Sequence, residues 1–169
     1  MKYFIDFASS SLNKKDEELC GDKVEFYSDD NKFIAILSDG LGSGVKANIL
    51  GTLTSKISIT MLKENIEIEE VVDTIIHTLP VCSIRNLAYS TFTIVKIEAN
   101  GTVYVAEFDN PSIFLLTDRK VDKIEWSSIK INGREIKESK FKIQEKDAIV
   151  LVSDGVVHAG VGQILNLGW

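Results

Sequence analysis

Apolar residues recur along this chain at two periods, and the switches between them mark out its elements. Tyr3-Phe4-Ile5-Asp6-Phe7-Ala8 is rich in aromatic and β-branched residues and predicts a strand; the polar run Asn13-Lys14-Lys15-Asp16-Glu17-Glu18 predicts an exposed loop. Val24-Glu25-Phe26-Tyr27 and Phe33-Ile34-Ala35-Ile36-Leu37 flank the turn-forming cluster Ser28 to Lys32, which predicts a β-hairpin. Its second strand is almost continuously apolar, the pattern of a strand covered on both faces. After Leu37 the period lengthens. Val45, Ile49, Leu53, Ile57 and Met61 fall at helical spacing behind a glycine loop, with Ser43 as N-cap. A second helix is expected over Glu67 to Leu79, its stripe formed by Val71, Val72, Ile75, Ile76 and Leu79 and its end set by Pro80.

From Tyr89 onward the two-residue period returns. Ser90 to Ile97 and Thr102 to Phe108 are joined by Asn100-Gly101, a hairpin signal. Further strands are expected over Ser112 to Thr117, around Val121 to Trp126, over Ile136 to Ile143 and over Ala148 to Val152. Strands, then two helices, then more strands make an α+β domain rather than a βαβ repeat. No repeat or linker interrupts the 169 residues, so the expectation is one domain over 1–169.

Composition narrows the function classes. With 19 Lys+Arg against 25 Asp+Glu the net charge is −6, and the charges are scattered, so no basic face serves nucleic acid. No apolar run reaches the roughly 20 residues that span a bilayer, which excludes a membrane span. Cys20 and Cys82 could make at most one bridge, and no secretory leader precedes them; a reduced, cytoplasmic protein is expected.

Three aspartates share one setting. Asp22 heads the strand beginning at Val24, Asp39-Gly40 follows the strand ending at Leu37, and Asp154-Gly155 follows Ala148 to Val152. The hairpin brings Asp22 and Asp39 to the same end, and Asp154 joins them if its strand shares the core. Carboxylates this close repel unless a cation neutralises them. An all-oxygen set, including a carbonyl such as that of Gly40, suits Mg²⁺ or Mn²⁺, and no His/Cys spacing suits zinc. His77 and His158 are given no metal role. Taken singly, each Asp-Gly pair also reads as an ordinary turn.

The loop Gly40-Leu41-Gly42-Ser43-Gly44 opens a helix, where backbone N–H groups bind phosphate. It fails the Walker and dinucleotide patterns, because Val45 stands where each needs glycine. Covalent phosphatase chemistries also fail. Six residues beyond Cys20 and Cys82 stand Phe26 and Ala88 rather than arginine, no Asp-x-Asp pair exists, and no Gly-x-Ser-x-Gly elbow occurs. Metal-activated water remains.

Cys20-Gly21-Asp22, then Ser38-Asp39-Gly40-Leu41-Gly42-Ser43-Gly44-Val45-Lys46-Ala47, then Val152-Ser153-Asp154-Gly155-Val156 resemble, in that order, the metal-binding motifs of PP2C-type serine/threonine protein phosphatases. The middle segment is similar to the bacterial sporulation-stage-II-E-like branch. The resemblance implies an α/β-β/α sandwich of two antiparallel sheets flanked by helices, with a pair of Mn²⁺ or Mg²⁺ ions at one end. It implies that Asp39 bridges the ions, that Asp22 and the Gly40 carbonyl hold one, and that Asp154 holds the other. Water between the ions would be the nucleophile, Gly42, Ser43 and Gly44 would position the substrate, and the substrate would be a phosphorylated protein. A homodimer through helical elements stays open.

Family members continue to a last strand carrying another acidic ligand, whereas this chain stops at Leu165-Asn166-Leu167-Gly168-Trp169. The expectation is therefore a C-terminally incomplete domain. Two readings stand: a metal-dependent phosphatase, or a catalytically weak or inactive phosphatase-like interaction module.

Overall fold

The predicted hairpin forms from β1 (Asp22–Ser28) and β2 (Lys32–Gly40), and β2 is buried along nearly its whole length, as its apolar run requires. The structure, a computed structural model, describes residues 3–13, 18–42, 44–79 and 90–159. The expected cap Ser43, Pro80, Cys82, Tyr89, most of the polar loop after Asn13 and the run from Leu165 to Trp169 lie outside the described residues.

Two helices follow the hairpin, α1 (Gly44–Lys63) and α2 (Ile68–Thr78). Then come β3 (Ser90–Glu98), β4 (Thr102–Phe108), β5 (Phe114–Thr117), β6 (Lys120–Asp122), β7 (Ser127–Ile131), β8 (Arg134–Lys142), β9 (Ala148–Val150) and a single turn, α3 (Asp154–Val157). The strands build two antiparallel sheets, ordered β1-β2-β3-β4-β8-β7 and β6-β5-β9. This is the expected α+β sandwich. Asn100-Gly101 makes the β3–β4 turn, with Gly101 at φ +81°. A second such pair, Asn132-Gly133, has both residues at positive φ and joins β7 to β8. The single strand expected around Val121 to Trp126 is replaced by β6 and β7, because Ser127-Ser128 dilutes the apolar signal of β7.

Alternate side chains of the larger sheet feed two cores. Ile34, Ile36, Phe92, Ile94, Ala106, Phe108 and Ile136 pack beneath α1 and α2, with Leu50, Ile59, Leu62, Val71, Val72 and Ile75. On the opposite face, Phe33, Ala35, Val95, Val103 and Val105 pack against Ile113, Leu115 and Ile143, closing the space between the sheets. Because strand side chains alternate, the same two-residue period decides which residues at the sheet ends face the second sheet.

Two further expectations are corrected. Tyr3 to Ala8 forms no ladder strand: Tyr3 N–H donates to the Ala99 carbonyl, and Phe7 stacks on Phe26 with ring centroids 4.5 Å apart, while Phe4 is exposed. The α1 stripe holds only in its second half, where Ile57 and Met61 pack partly buried against the core. Val45, Ile49 and Leu53 are exposed, and the buried side carries Ala47, Leu50, Gly51, Thr54, Ser55, Ser58, Ile59 and Leu62. The helix lies so close to the sheet that only small side chains fit over much of the contact. Thr54 and Ser58 satisfy their hydroxyls on the Leu50 and Thr54 carbonyls of the preceding turn, so their burial leaves no orphan donors. At the other end of α1, the buried Lys32 ammonium donates to the carbonyls of Leu62 and Lys63 and to Asn65 Oδ1, closing the helix C-terminus onto β2.

Candidate metal centre

Antiparallel pairing sets Asp22 directly opposite Asp39. Both belong to the alternate set that includes Ala35 and Leu37, so they share a sheet face at the end of the inter-sheet core. The third carboxylate arrives from the other sheet: β9 exits through Val152-Ser153, and Asp154 opens α3. Ser153 stands at the N-cap of α3, yet its hydroxyl makes no cap bond. It donates instead to Asp22 Oδ2 at 2.6 Å, fastening the third segment to the first.

Glycine is required where β2 meets α1. A side chain at Gly40 would overlap the Ala47 carbonyl, and a Cβ on Gly51 would stand 2.5 Å from the Gly21 carbonyl oxygen. This close approach is held by polar contacts. Gly40 N–H donates to the Gly21 carbonyl at 3.3 Å, Ser38 Oγ to the Gly51 carbonyl at 2.7 Å, and Asn48 Nδ2 to the Cys20 carbonyl at 2.8 Å. Ser90 Oγ adds a bond to the Asp39 carbonyl. The backbone around Gly21, Asp39 and Gly40 is therefore fixed from both its helix and its sheet neighbours.

Burial, followed by the charges of Asp22 and Asp154, pushes the Asp39 carboxyl up to about 8. The charges of both Asp22 and Asp154 act on Asp39, so the three acids predicted from separated segments do meet. Among the described residues, no group of three or more His, Cys, Asp or Glu side chains is already spread as an ion cage. In this arrangement a shared proton relieves the repulsion that a divalent cation would relieve by charge. The donor chemistry fits a hard cation, since all the groups are oxygens and their mutual repulsion is what bound positive charge removes.

Gly40 occupies the last position of β2, with its carbonyl near Gly21. Gly42 and Gly44 adopt φ +106° and +64°, the left-handed turn that lets the chain leave β2 and enter α1. Sequence reasoning assigns no role to Ser153, Asn48 or Ser90. Ser153 adjoins Asp154 and Asn48 follows the middle motif, but neither position, nor that of Ser90 at the start of β3, reveals a bond to a segment distant in sequence.

A family model described as Stage II sporulation protein E (SpoIIE) matches residues 29–167. The fold is similar to the PP2C phosphatase domain and regulatory-domain fragment of SpoIIE from Bacillus subtilis, with TM-score 0.70, 22% identity, and coverage of 84% of this chain and 43% of that one. RsbX in complex with magnesium gives TM-score 0.67 and 19% identity over 86% of this chain and 71% of its own. The RsbU and RsbW domains of Rv1364c from Mycobacterium tuberculosis give 0.71 and 15%, covering 86% and 42%. The chain thus spans less than half of two of these three structures. No curated protein matches the sequence.

Proposed function

Since the chain belongs to the Stage II sporulation protein E (SpoIIE) family, we propose that residues 1–169 form one phosphatase domain that hydrolyses phosphoserine or phosphothreonine on a protein in a cytoplasmic bacterial signalling circuit. One observation carries this reading: Asp22, Asp39 and Asp154, from segments far apart in the chain, converge on one end of the sandwich, with Asp39 carrying their mutual repulsion.

Asp22, Asp39, Asp154 and the Gly40 carbonyl would hold Mn²⁺ or Mg²⁺, as a pair of ions. A divalent ion there supplies an acidified water as nucleophile and neutralises the phosphate oxygens. The chain's own residues do the positioning. Ser153 orients Asp22 through its 2.6 Å hydrogen bond, and the contact of Gly40 with α1 fixes the backbone that presents Asp39. Gly42, Ser43 and Gly44 would receive the phosphate dianion at the start of α1, where the positive end of the helix meets it. The magnesium complex of RsbX supports the choice of ion.

Hydrolysis of p-nitrophenyl phosphate by the purified chain, with and without Mn²⁺, tests the reading. Turnover that needs the ion and is lost in Asp39→Asn supports it. Mn²⁺ uptake without turnover of this substrate or of a phosphopeptide selects the interaction module instead, and absence of both uptake and turnover removes both readings. No helix among the described residues is long and apolar enough to cross a membrane.

A further inference from the structure

The end of the sandwich that carries the three aspartates also holds a polar cavity of about 230 Å³, lined by Glu107, Asp109, Asn110, Glu135 and Lys137. The pairing that runs Asp39 opposite Thr91, Thr93 opposite Glu107, and Glu107 opposite Lys137 fixes its place. Two strand spacings across and two residues along separate Asp39 from Glu107, roughly 12 Å between their Cα atoms. Both residues lie on the face turned toward the second sheet.

Three acids against one lysine give this cavity a negative lining. Glu107 is almost fully buried, and its carboxylate is held by the Ile113 N–H at 2.8 Å and the Ser112 hydroxyl at 2.9 Å. Burial pushes its carboxyl up, while these donors and Lys137 oppose the shift. Asp109 and Glu135 line the rim. Asn110 is only 8% exposed, and its Nδ2 donates to Thr93 Oγ1 at 2.7 Å and reaches the Val152 carbonyl at 3.5 Å. Its Oδ1 is buried with no hydrogen-bond partner. An unpaired buried acceptor among carboxylates asks for a donor with several N–H groups and a positive charge. The cavity is larger than an ion needs, and the positive charge of Lys137 disfavours a compact divalent cation.

We infer that this cavity receives a basic side chain of the phosphoprotein substrate, arginine in preference to lysine, from a residue close in sequence to the phosphorylated one. This rests on the phosphatase reading and names a recognition element for it. An extended peptide advances about 3.3–3.6 Å per residue, so a separation of roughly 12 Å is spanned by about three residues. A planar guanidinium can bridge Glu135 and Asp109 while offering an N–H toward Asn110, which a single ammonium does less well.

The test is binding rather than turnover, so that it survives failure of catalysis. Fluorescein-labelled phosphoserine peptides carrying arginine or glutamine three residues from the phosphoserine, on either side, are titrated with the intact chain in Mn²⁺ by fluorescence anisotropy. The arginine peptide is expected to bind at least about fivefold more tightly on one of the two sides, the scale of one charge-assisted contact. Glu135→Gln and Asp109→Asn should each pull that ratio toward one, and Lys137→Met should widen it. The ratio is read on one protein at a time, so a change in folded fraction cancels. Equal affinities for the two peptides, absence of binding by both, or a ratio unmoved by Glu135→Gln overturns the inference. So does a Mn²⁺ equivalent that disappears in Glu135→Gln but persists in Asp39→Asn, which would make the cavity an ion site. Failure of the phosphatase reading shows separately, as no Mn²⁺-dependent hydrolysis of p-nitrophenyl phosphate.

Discussion

Replacing Asp39 by asparagine should stabilise the metal-free protein, and the gain should depend on pH. Asp39 titrates at about 8 in the fold against an ordinary 3.8, with burial the largest cause and the charges of Asp22 and Asp154 next. The raised value means that the folded state holds the proton more tightly than the unfolded chain does. The stability this contributes is complete below the ordinary 3.8 and is lost progressively as pH climbs toward 8. The amide in Asp39→Asn cannot ionise, so the variant escapes that loss. The full shift would be worth more than about 5 kcal/mol at roughly 1.36 kcal/mol per pH unit. Asp39 is only partly buried, however, and solvent screening reduces the expected difference to roughly 2–3 kcal/mol at about pH 8 and above.

Urea denaturation of both proteins in EDTA, in steps from about pH 5 to about pH 9, reads the difference directly. The variant's advantage should be smallest at the acid end and level off once Asp39 has lost its proton, above about 8. Added Mn²⁺ should reverse the order, because ligand at about 1,000 times its Kd stabilises only the protein that binds it, by about 4.1 kcal/mol. A difference that is flat with pH, or a variant less stable than the parent at every pH in EDTA, would refute the crowding of these carboxylates.

Three further outcomes follow from the packing. Ser153→Ala removes the bond that orients Asp22, and Mn²⁺ affinity measured by calorimetry should fall about tenfold, the usual scale for a lost supporting contact; an unchanged affinity would leave Ser153 without a role in the site. Gly51→Ala would press its Cβ against the Gly21 carbonyl at 2.5 Å and should cost about 2–3 kcal/mol in chemical denaturation, whereas a neutral result would mean that α1 sits farther from the sheet. Ile49→Gln, on the exposed side of α1, should change stability by about 0.5 kcal/mol or less; a loss above roughly 2 kcal/mol would return Ile49 to the core.

What the chain's pattern discloses and what it hides have a common physical basis. The hairpin, the Asn100-Gly101 turn and the meeting of Asp22 with Asp39 are legible because a two-residue period and a short turn leave little freedom of register. The arrival of Asp154 is legible only on condition that β9 shares the core. The inner face of α1 is not legible. Hydrophobic spacing selects Val45, Ile49 and Leu53, but tight packing against Gly21 and Gly40 selects for small size, which a hydropathy pattern does not register. Ser153 and Asn110 escape for a different reason: their partners lie 131 and 17 or 42 positions away, and only tertiary structure supplies them.

The small-residue face and the acidic cluster are two sides of one compromise. Three carboxylates drawn together destabilise the ion-free fold, and an asparagine in place of Asp39 would remove much of that repulsion. The strand end that presents them therefore needs restraint from elsewhere. Gly40, Gly51 and Ala47 let the helix backbone approach the strand backbone, while Ser38 and Asn48 tie the same stretch by hydrogen bonds to Gly51 and Cys20. Close-packed contacts of this kind yield little under load. The acids are consequently held near one another even when protons rather than cations offset their charge. A site tolerated at a cost in stability, and buttressed by close packing of α1 on the strand that presents it, is the arrangement expected where binding chemistry rather than folding has dictated the residues.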